Sequence, residues 1–232
     1  MTSELVYGRR AVREALRGRR EVLEVLATER AIRAEGWLRE CRVKTLTERE
    51  LTELAGTRDH QGVVARAEPY RYADAADLLA RDEPLLACLD QVTDPHNLGA
   101  VCRSAEGAGA TGVILPAHNS ARVTPAVSRA SAGAVEHLPI AVVPNLARWL
   151  GEAKGPRLWI YGADVGGTPM WEADLSGGLA LVFGAEGKGV RPLVRRTCDG
   201  AVSIPLAGTV ESLNVSVAAA LLLYEARRQR GG

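Results

Sequence analysis

Long apolar runs are missing from this sequence. The most apolar stretch, Ser212 to Tyr224, covers 13 residues between Glu211 and Glu225, short of the ~20 that a helix needs to cross a bilayer core. No membrane span is therefore expected. Lysine is nearly absent, with Lys44, Lys154 and Lys188 alone, so arginine carries almost all the positive charge. Cys41, Cys88, Cys102 and Cys198 lie scattered, with no C-x-x-C pair and no histidine at zinc-ligand spacing; reduced, mostly buried thiols and no metal are the expectation. Internal repeats and low-complexity tracts are also lacking, which excludes a repeat array. The stretch from Met1 to Arg10 holds charge where an export signal needs an apolar core, and a cytoplasmic location is expected.

What is present is a folding chain. At 232 residues and 47% hydrophobic content there is apolar material for one large domain, or a small one plus a medium one. The net charge of +1 says nothing by itself about nucleic acid. Its distribution says more, because Arg9, Arg10, Arg13, Arg17, Arg19 and Arg20 face only Glu4 and Glu14 within the first twenty residues, and Arg227, Arg228 and Arg230 crowd the other end. Such clusters suit phosphates. General use of arginine in place of lysine is the plain alternative.

Periodicity divides the chain. Residues 9–16, 31–40 and 48–55 read as helices, and 22–27 and 62–65 as strands, a small α/β module. The polar stretch from Glu68 to Pro84, bracketed by prolines, reads as a linker, so the expected division is 1–72, a linker at 73–84, and 85–232. Beyond it, strand-like runs at 85–89, 112–115, 138–143, 157–161, 179–183 and 201–204 alternate with helix-like segments near 98–108, 124–132, 145–153, 190–196 and 212–229. That alternation predicts an α/β fold with a mostly parallel sheet and helices on both faces. Ligands of such sheets sit in the loops at the carboxyl ends of strands: here 91–98, 184–190 and 205–214.

One motif misleads. Gly107 to Gly112 spells G-x-G-x-x-G, but a helix precedes it and a strand follows, the reverse of a dinucleotide site. The glycines are better suited to ending a helix, and a nicotinamide-dependent oxidoreductase is disfavoured.

Three segments carry chemistry. Leu89 to Glu106 runs from a strand end through Asp94-Pro95 into a helix that Asn97 is placed to cap; taken alone it asks for nothing beyond a cap and an Arg103–Glu106 pair. Leu179 to Pro192 is a strand feeding a glycine-rich loop with a single acid, Glu186, where Gly184, Gly187 and Gly189 permit positive φ or close backbone approach. Ser203 to Glu225 passes through a Gly-Thr loop into a helix that opens with Glu211, Ser212 and Asn214 and is then almost wholly apolar, so it needs cover on more than one side. A partner subunit is an economical cover.

Together these segments, in this order, resemble the three motifs of the SpoU family of RNA ribose 2'-O-methyltransferases over residues 85–229, and Tyr7-Gly-Arg-Arg-Ala-Val with His60-Gln-Gly-Val-Val-Ala resembles that family's ribosomal-protein-like RNA-binding domain. Within the family, the likeness is greatest to 23S rRNA guanosine 2'-O-methyltransferases. The resemblance implies a trefoil-knotted C-terminal domain, a homodimer, S-adenosylmethionine as methyl donor, and an RNA substrate that is 23S rRNA or, alternatively, tRNA. It places cofactor binding at Gly184, Gly187, Ile204, Leu206 and Leu213. It places catalysis at Asn97, Arg103, Glu186, Ser212 and Asn214, with Arg103 activating, often across the dimer. A guanidinium stays protonated, so Arg103 is expected to clamp phosphate and stabilise the forming alkoxide; Asn97, Ser212 and Asn214 orient the ribose and Glu186 tethers the site. His96 is expected to be a solvent-facing turn residue. A family member that binds RNA without catalysis, as an assembly factor, is the rival of another class.

Overall fold

The computed structural model describes residues 3–231. It resolves into two compact units: residues 3–71 with 122–137, and residues 72–121 with 138–231.

In the first unit, β1 (Glu4–Tyr7), α1 (Arg9–Ala15), β2 (Val22–Ala27), α2 (Glu29–Ala34), β3 (Val43–Thr45), α3 (Glu48–Ala55) and β4 (Val63–Ala67) build a four-stranded sheet of order β1-β4-β2-β3. The expected helix over 31–40 is two pieces: Glu35 is extended, at φ −111° and ψ 105°, and a 3-10 turn, Gly36–Glu40, follows. Thr47 and Glu50 form a reciprocal capping box that starts α3, satisfying two otherwise orphaned donors. Ala11, Val12 and Ala15 of α1 pack on Val25, Ala27, Val63 and Ala65. The segment after residue 121 joins this unit through the buried Arg20, whose guanidinium donates to Glu136 at 2.6 and 2.9 Å.

The second unit holds α4 (Ala75–Leu79), β5 (Leu85–Asp90), α5 (Pro95–Gly107), β6 (Gly112–Pro116), β7 (Ile140–Val143), α7 (Leu146–Ala153), β8 (Trp159–Pro169), β9 (Leu179–Gly184), α8 (Pro192–Thr197), β10 (Gly200–Ser203) and α9 (Val215–Gln229), with α6 (Pro125–Ala130) counted in the first unit. Its six strands run in the order β10-β8-β9-β5-β6-β7, and every pairing is parallel. Leu85 to Asp90 and Leu179 to Phe183 are buried without interruption, as strands covered on both faces must be. Leu86, Cys88, Ile114, Ala180 and Val182 meet Leu78, Leu146, Leu150 and Val194 of α4, α7 and α8; the alternate residues face the other way, where α5 touches β6 and α9 touches β9 and α5. The misleading glycines behave as their context demands: Gly107 ends α5, Gly109 sits at φ +75°, and Gly112 opens β6. Among the described residues no helix is long and apolar enough to cross a membrane.

Candidate active site

The chain leaves β5 for β6 and β7 on one side and later returns to place β9, β8 and β10 on the other, so β5 and β9 flank the point where the strand order reverses. Sheets of this kind bind ligands outside the carboxyl ends of strands at that point. Four loops meet there, following β5, β6, β9 and β10.

The loop after β9 is held at both ends by one residue, through its backbone at one end and its carboxylate at the other. Asp90, the last residue of β5, is wholly buried. It pairs in register with Gly184. It also accepts the Arg191 backbone N–H at 2.9 Å and the guanidinium at 2.8 and 2.7 Å. Between these anchors the chain doubles back, with Ala185 bridging Gly189 and Gly187 and Gly189 at φ +71° and +64°. The space beside Gly184 is taken by this returning backbone, since a Cβ there would lie 1.9 Å from the Gly189 carbonyl carbon.

The fold of that loop presents Glu186 to the other two segments. Its Oε1 accepts from Asn97 Nδ2 at 3.0 Å and from Asn214 Nδ2. Asn214 Nδ2 also donates to Asn97 Oδ1 at 3.0 Å. Residues 97, 186 and 214 thus form a closed triangle, one corner from each motif. Asn97 does not cap α5 as expected. That task falls to Asp94, whose side chain accepts from His96 N at 2.9 Å, and Pro95 is pre-set for the first turn, which frees Asn97 one turn in. Asn214 is the cap of α9, its Oδ1 accepting from Ser216 N and Oγ at 2.9 and 2.6 Å, so the helix starts later than the expected 212. A cavity of about 520 Å³ opens beside the triangle, lined by Gln91, Thr93, Asn97, Asn119, Glu186 and Lys188 among others.

Ser212 lies two residues before Asn214, exposed, without a hydrogen bond among the described residues. Arg103 is exposed on α5 and pairs with neither Glu106 nor any other described acid. Six residues beyond Asn97 on an ideal helix is about 9 Å along the axis and about 120° around it, so the two side chains leave α5 on different faces. His96 is exposed in the first turn.

The expected cofactor residues divide similarly. Gly184 and Gly187 belong to the doubled-back loop. Ile204, Leu206 and Leu213 belong to the stretch after β10, where residues 206–213 are exposed and make no hydrogen bond to the rest of the described chain. Leu206, Val210 and Leu213 are among the exposed large apolar side chains. Free backbone donors and acceptors beside exposed apolar groups suit a heteroaromatic ring that pairs by its edge and stacks by its face, so these residues fit the adenine end of S-adenosylmethionine. Among the described residues no cluster of acids, histidines or cysteines is gathered as for a metal, and all four cysteines are free thiols.

The SpoU rRNA Methylase family profile matches residues 84–224, and the profile for RNA 2'-O ribose methyltransferase substrate binding matches residues 5–73. This chain belongs to the SpoU family. It is 42% identical to the 23S rRNA (guanosine-2'-O-)-methyltransferase RlmB of Vibrio vulnificus over 243 residues, 99% of this chain and 98% of that protein. An uncharacterized tRNA/rRNA methyltransferase of Synechocystis is 40% identical over 246 residues, and there the match spans 98% of this chain but 63% of that protein, under two thirds of its length. The SpoU methyltransferase AviRb from Streptomyces viridochromogenes, solved in complex with the cofactor AdoMet, superposes with a TM-score of 0.81 at 30% identity, covering 98% of this chain and 90% of that one.

The sequence did not disclose Asp90, Arg191, Gln91 or Asn119 as parts of this site. Asp90 had a readable signal, an acid at the end of a buried apolar strand, which has to find a partner.

Proposed function

We propose that this chain transfers a methyl group from S-adenosylmethionine to the ribose 2'-hydroxyl of a guanosine in 23S rRNA, acting in the cytoplasm as a homodimer. The observation that carries the reading is the Asn97–Glu186–Asn214 triangle, in which one corner of each family motif meets the others by hydrogen bonds. When bound, the cofactor supplies an electrophilic methyl group on a sulfonium. The chain's own groups then bind and orient. Backbone groups around Leu206 and Leu213, with Ile204, Gly184 and Gly187 alongside, hold the donor. The triangle and Ser212 hold the ribose; fixing the acceptor in line is worth ~7–11 kcal/mol of barrier. The Arg103 guanidinium stabilises the alkoxide as charge develops on it, the hydroxyl proton passing to solvent water.

The direction of Arg103 supports the dimer, because a second copy is the simplest way to bring a guanidinium to a cleft its own helix turns away from. Cover for that interface is at hand. Val217, Leu221 and Tyr224 of α9 are exposed at four- and three-residue intervals, an apolar stripe on one helix face, suited to a self-complementary two-fold contact. The match of residues 5–73 to a substrate-binding profile supports the RNA reading. So does the allocation of arginines: Arg9 is engaged by Glu35 and Gln61, and Arg20 by Glu136 and Glu4, leaving Arg10, Arg13 and Arg19 exposed for phosphates. The knot belongs to the same reading, with the stretch between β9 and α9 as the threaded part.

Labelled methyl transfer to total RNA, with the product mapped by resistance of the modified linkage to alkali, is the test. Label in a 23S rRNA guanosine is expected. Label confined to tRNA would move the substrate, and no label would sink the reading.

A further inference from the structure

Five non-glycine residues among those described have positive φ: Gln61, Glu83, Gln91, Asn119 and Ala132. Two of the five, Gln91 at φ 62° and Asn119 at φ 54°, line the same 520 Å³ cavity as Asn97 and Glu186. Left-handed backbone is unfavourable for a side chain of glutamine's kind, and such residues gather where function over-determines the fold. Two loops are involved. Gln91 follows β5, Asn119 follows β6, and the Ala121 N–H donates to the Val92 carbonyl at 2.9 Å, tying the loops together. Both side chains end in a carboxamide, and neither carboxamide is hydrogen-bonded among the described residues.

A carboxamide offers one acceptor and two donors in a plane. A base turned out of an RNA strand is read by such groups on its Watson–Crick and Hoogsteen edges. Guanine presents a carbonyl acceptor beside N–H donors, which one carboxamide matches in both senses; adenine presents the reverse pattern, which a single carboxamide meets when turned over, so the choice of guanine rests on the two carboxamides acting together. The cavity volume is within the ~300–1,000 Å³ common for small-ligand sites, and the triangle at its wall is the part assigned to the ribose.

The geometry points to Gln91 and Asn119 as the specificity-determining residues that read the base of the acceptor nucleotide, while Asn97, Glu186 and Asn214 hold its ribose. This rests on the methyl-transfer reading above. The positive φ supplies a clean test, because glycine keeps the backbone conformation at no steric cost and removes only the carboxamide. Gln91→Gly and Asn119→Gly are expected to melt within a degree or two of the parent and to bind S-adenosylmethionine unchanged in calorimetry. Each is expected to lose about ten-fold or more in kcat/KM on an RNA carrying the target guanosine, and to lose preference over the same RNA with adenosine there. Asn119→Asp, which tolerates the same φ but cannot donate to the guanine carbonyl while its carboxylate still accepts from the guanine N–H groups, is expected to lower kcat/KM yet to keep the preference for guanosine.

If both glycine variants keep parental kcat/KM and base preference, the two are turn residues and the inference is overturned. If cofactor affinity falls along with activity, the cavity belongs to the donor and the inference is again overturned. A parent chain that methylates no RNA defeats the underlying reading, which is a separate result from an active parent with indifferent variants.

Discussion

Arg191 donates its backbone N–H and its guanidinium to the buried carboxylate of Asp90, 101 residues earlier in the chain. The pair closes the base of the loop that presents Glu186. Asp90→Asn keeps the size of the side chain but removes the charge and sets an amide donor against donors. A loss of about 1–3 kcal/mol in urea unfolding is expected, toward the lower end because the exposed side of Arg191 can take water. Methyl transfer is expected to fall further than stability alone explains; a variant as active as the parent would show that the loop holds itself.

Arg103→Ala is expected to abolish methyl transfer and to leave cofactor affinity intact. Mixing it with Asn214→Ala separates two ways of acting. If Arg103 serves the other copy, each mixed dimer contains one site with both lesions and one with neither, and a 1:1 mixture recovers about a quarter of parental activity by random pairing of copies. If Arg103 serves its own copy, every site carries a lesion and nothing returns.

Leu221→Asp places a charge in the middle of the exposed α9 stripe. Sedimentation is expected to show a weakened dimer and assays a parallel loss of activity, while the far-UV spectrum stays parental because the buried side of α9, with Ala219, Leu222, Leu223 and Ala226, is untouched. A monomeric but fully active variant would contradict a shared site.

Near the end of α9, hydrogen bonds from Arg228 and Gln229 hold the Glu225 carboxyl down at about 2 from its ordinary 4.5. A folded-state value below the unfolded one contributes stability that is present above pH 4.5 and is lost as pH falls toward 2. Gln229 also accepts from Leu175 N and donates to the Ala173 carbonyl, so acid is expected to loosen the 173–175 stretch first. Hydrogen exchange there should accelerate below pH 4.5, and Glu225→Gln should show the faster exchange already at neutral pH.

Glu136→Gln leaves the buried Arg20 guanidinium with only Glu4 as a charged partner. Breaking a buried pair on one side costs about 3–5 kcal/mol, read as an earlier unfolding transition of the first unit with cofactor binding unchanged.

The sequence exposed the parallel sheet because its strands are continuous apolar runs broken by glycine-containing turns, a pattern strong enough to place β5, β6 and β9 within a residue of where they lie. It concealed β1 and β3, since a four-residue strand with one fully buried side chain and a three-residue strand with none offer no alternation to count. It concealed α4 inside the expected linker, because five residues capped by Asp74 are too few for a periodic signal. The corners of the site were legible as residue types, yet the bonds were not: whether Asn97 caps a helix or reaches Glu186 depends on Asp94 capping first. The direction of Arg103 is set by helix phase, which follows only once the start of α5 is known.

The first unit is assembled from two stretches, and its buried Arg20 waits for an acid 116 residues later in the chain. During synthesis from the amino end, the opening module emerges with a core that is still missing a piece, while β5 and β6 are made in between. Its completion therefore comes after two of the six strands of the parallel sheet have left the ribosome. A chain stalled before residue 136 would leave the Arg20 guanidinium with only Glu4 and the Glu68 carbonyl to bind it, a point at which proteases would find the opening module incomplete.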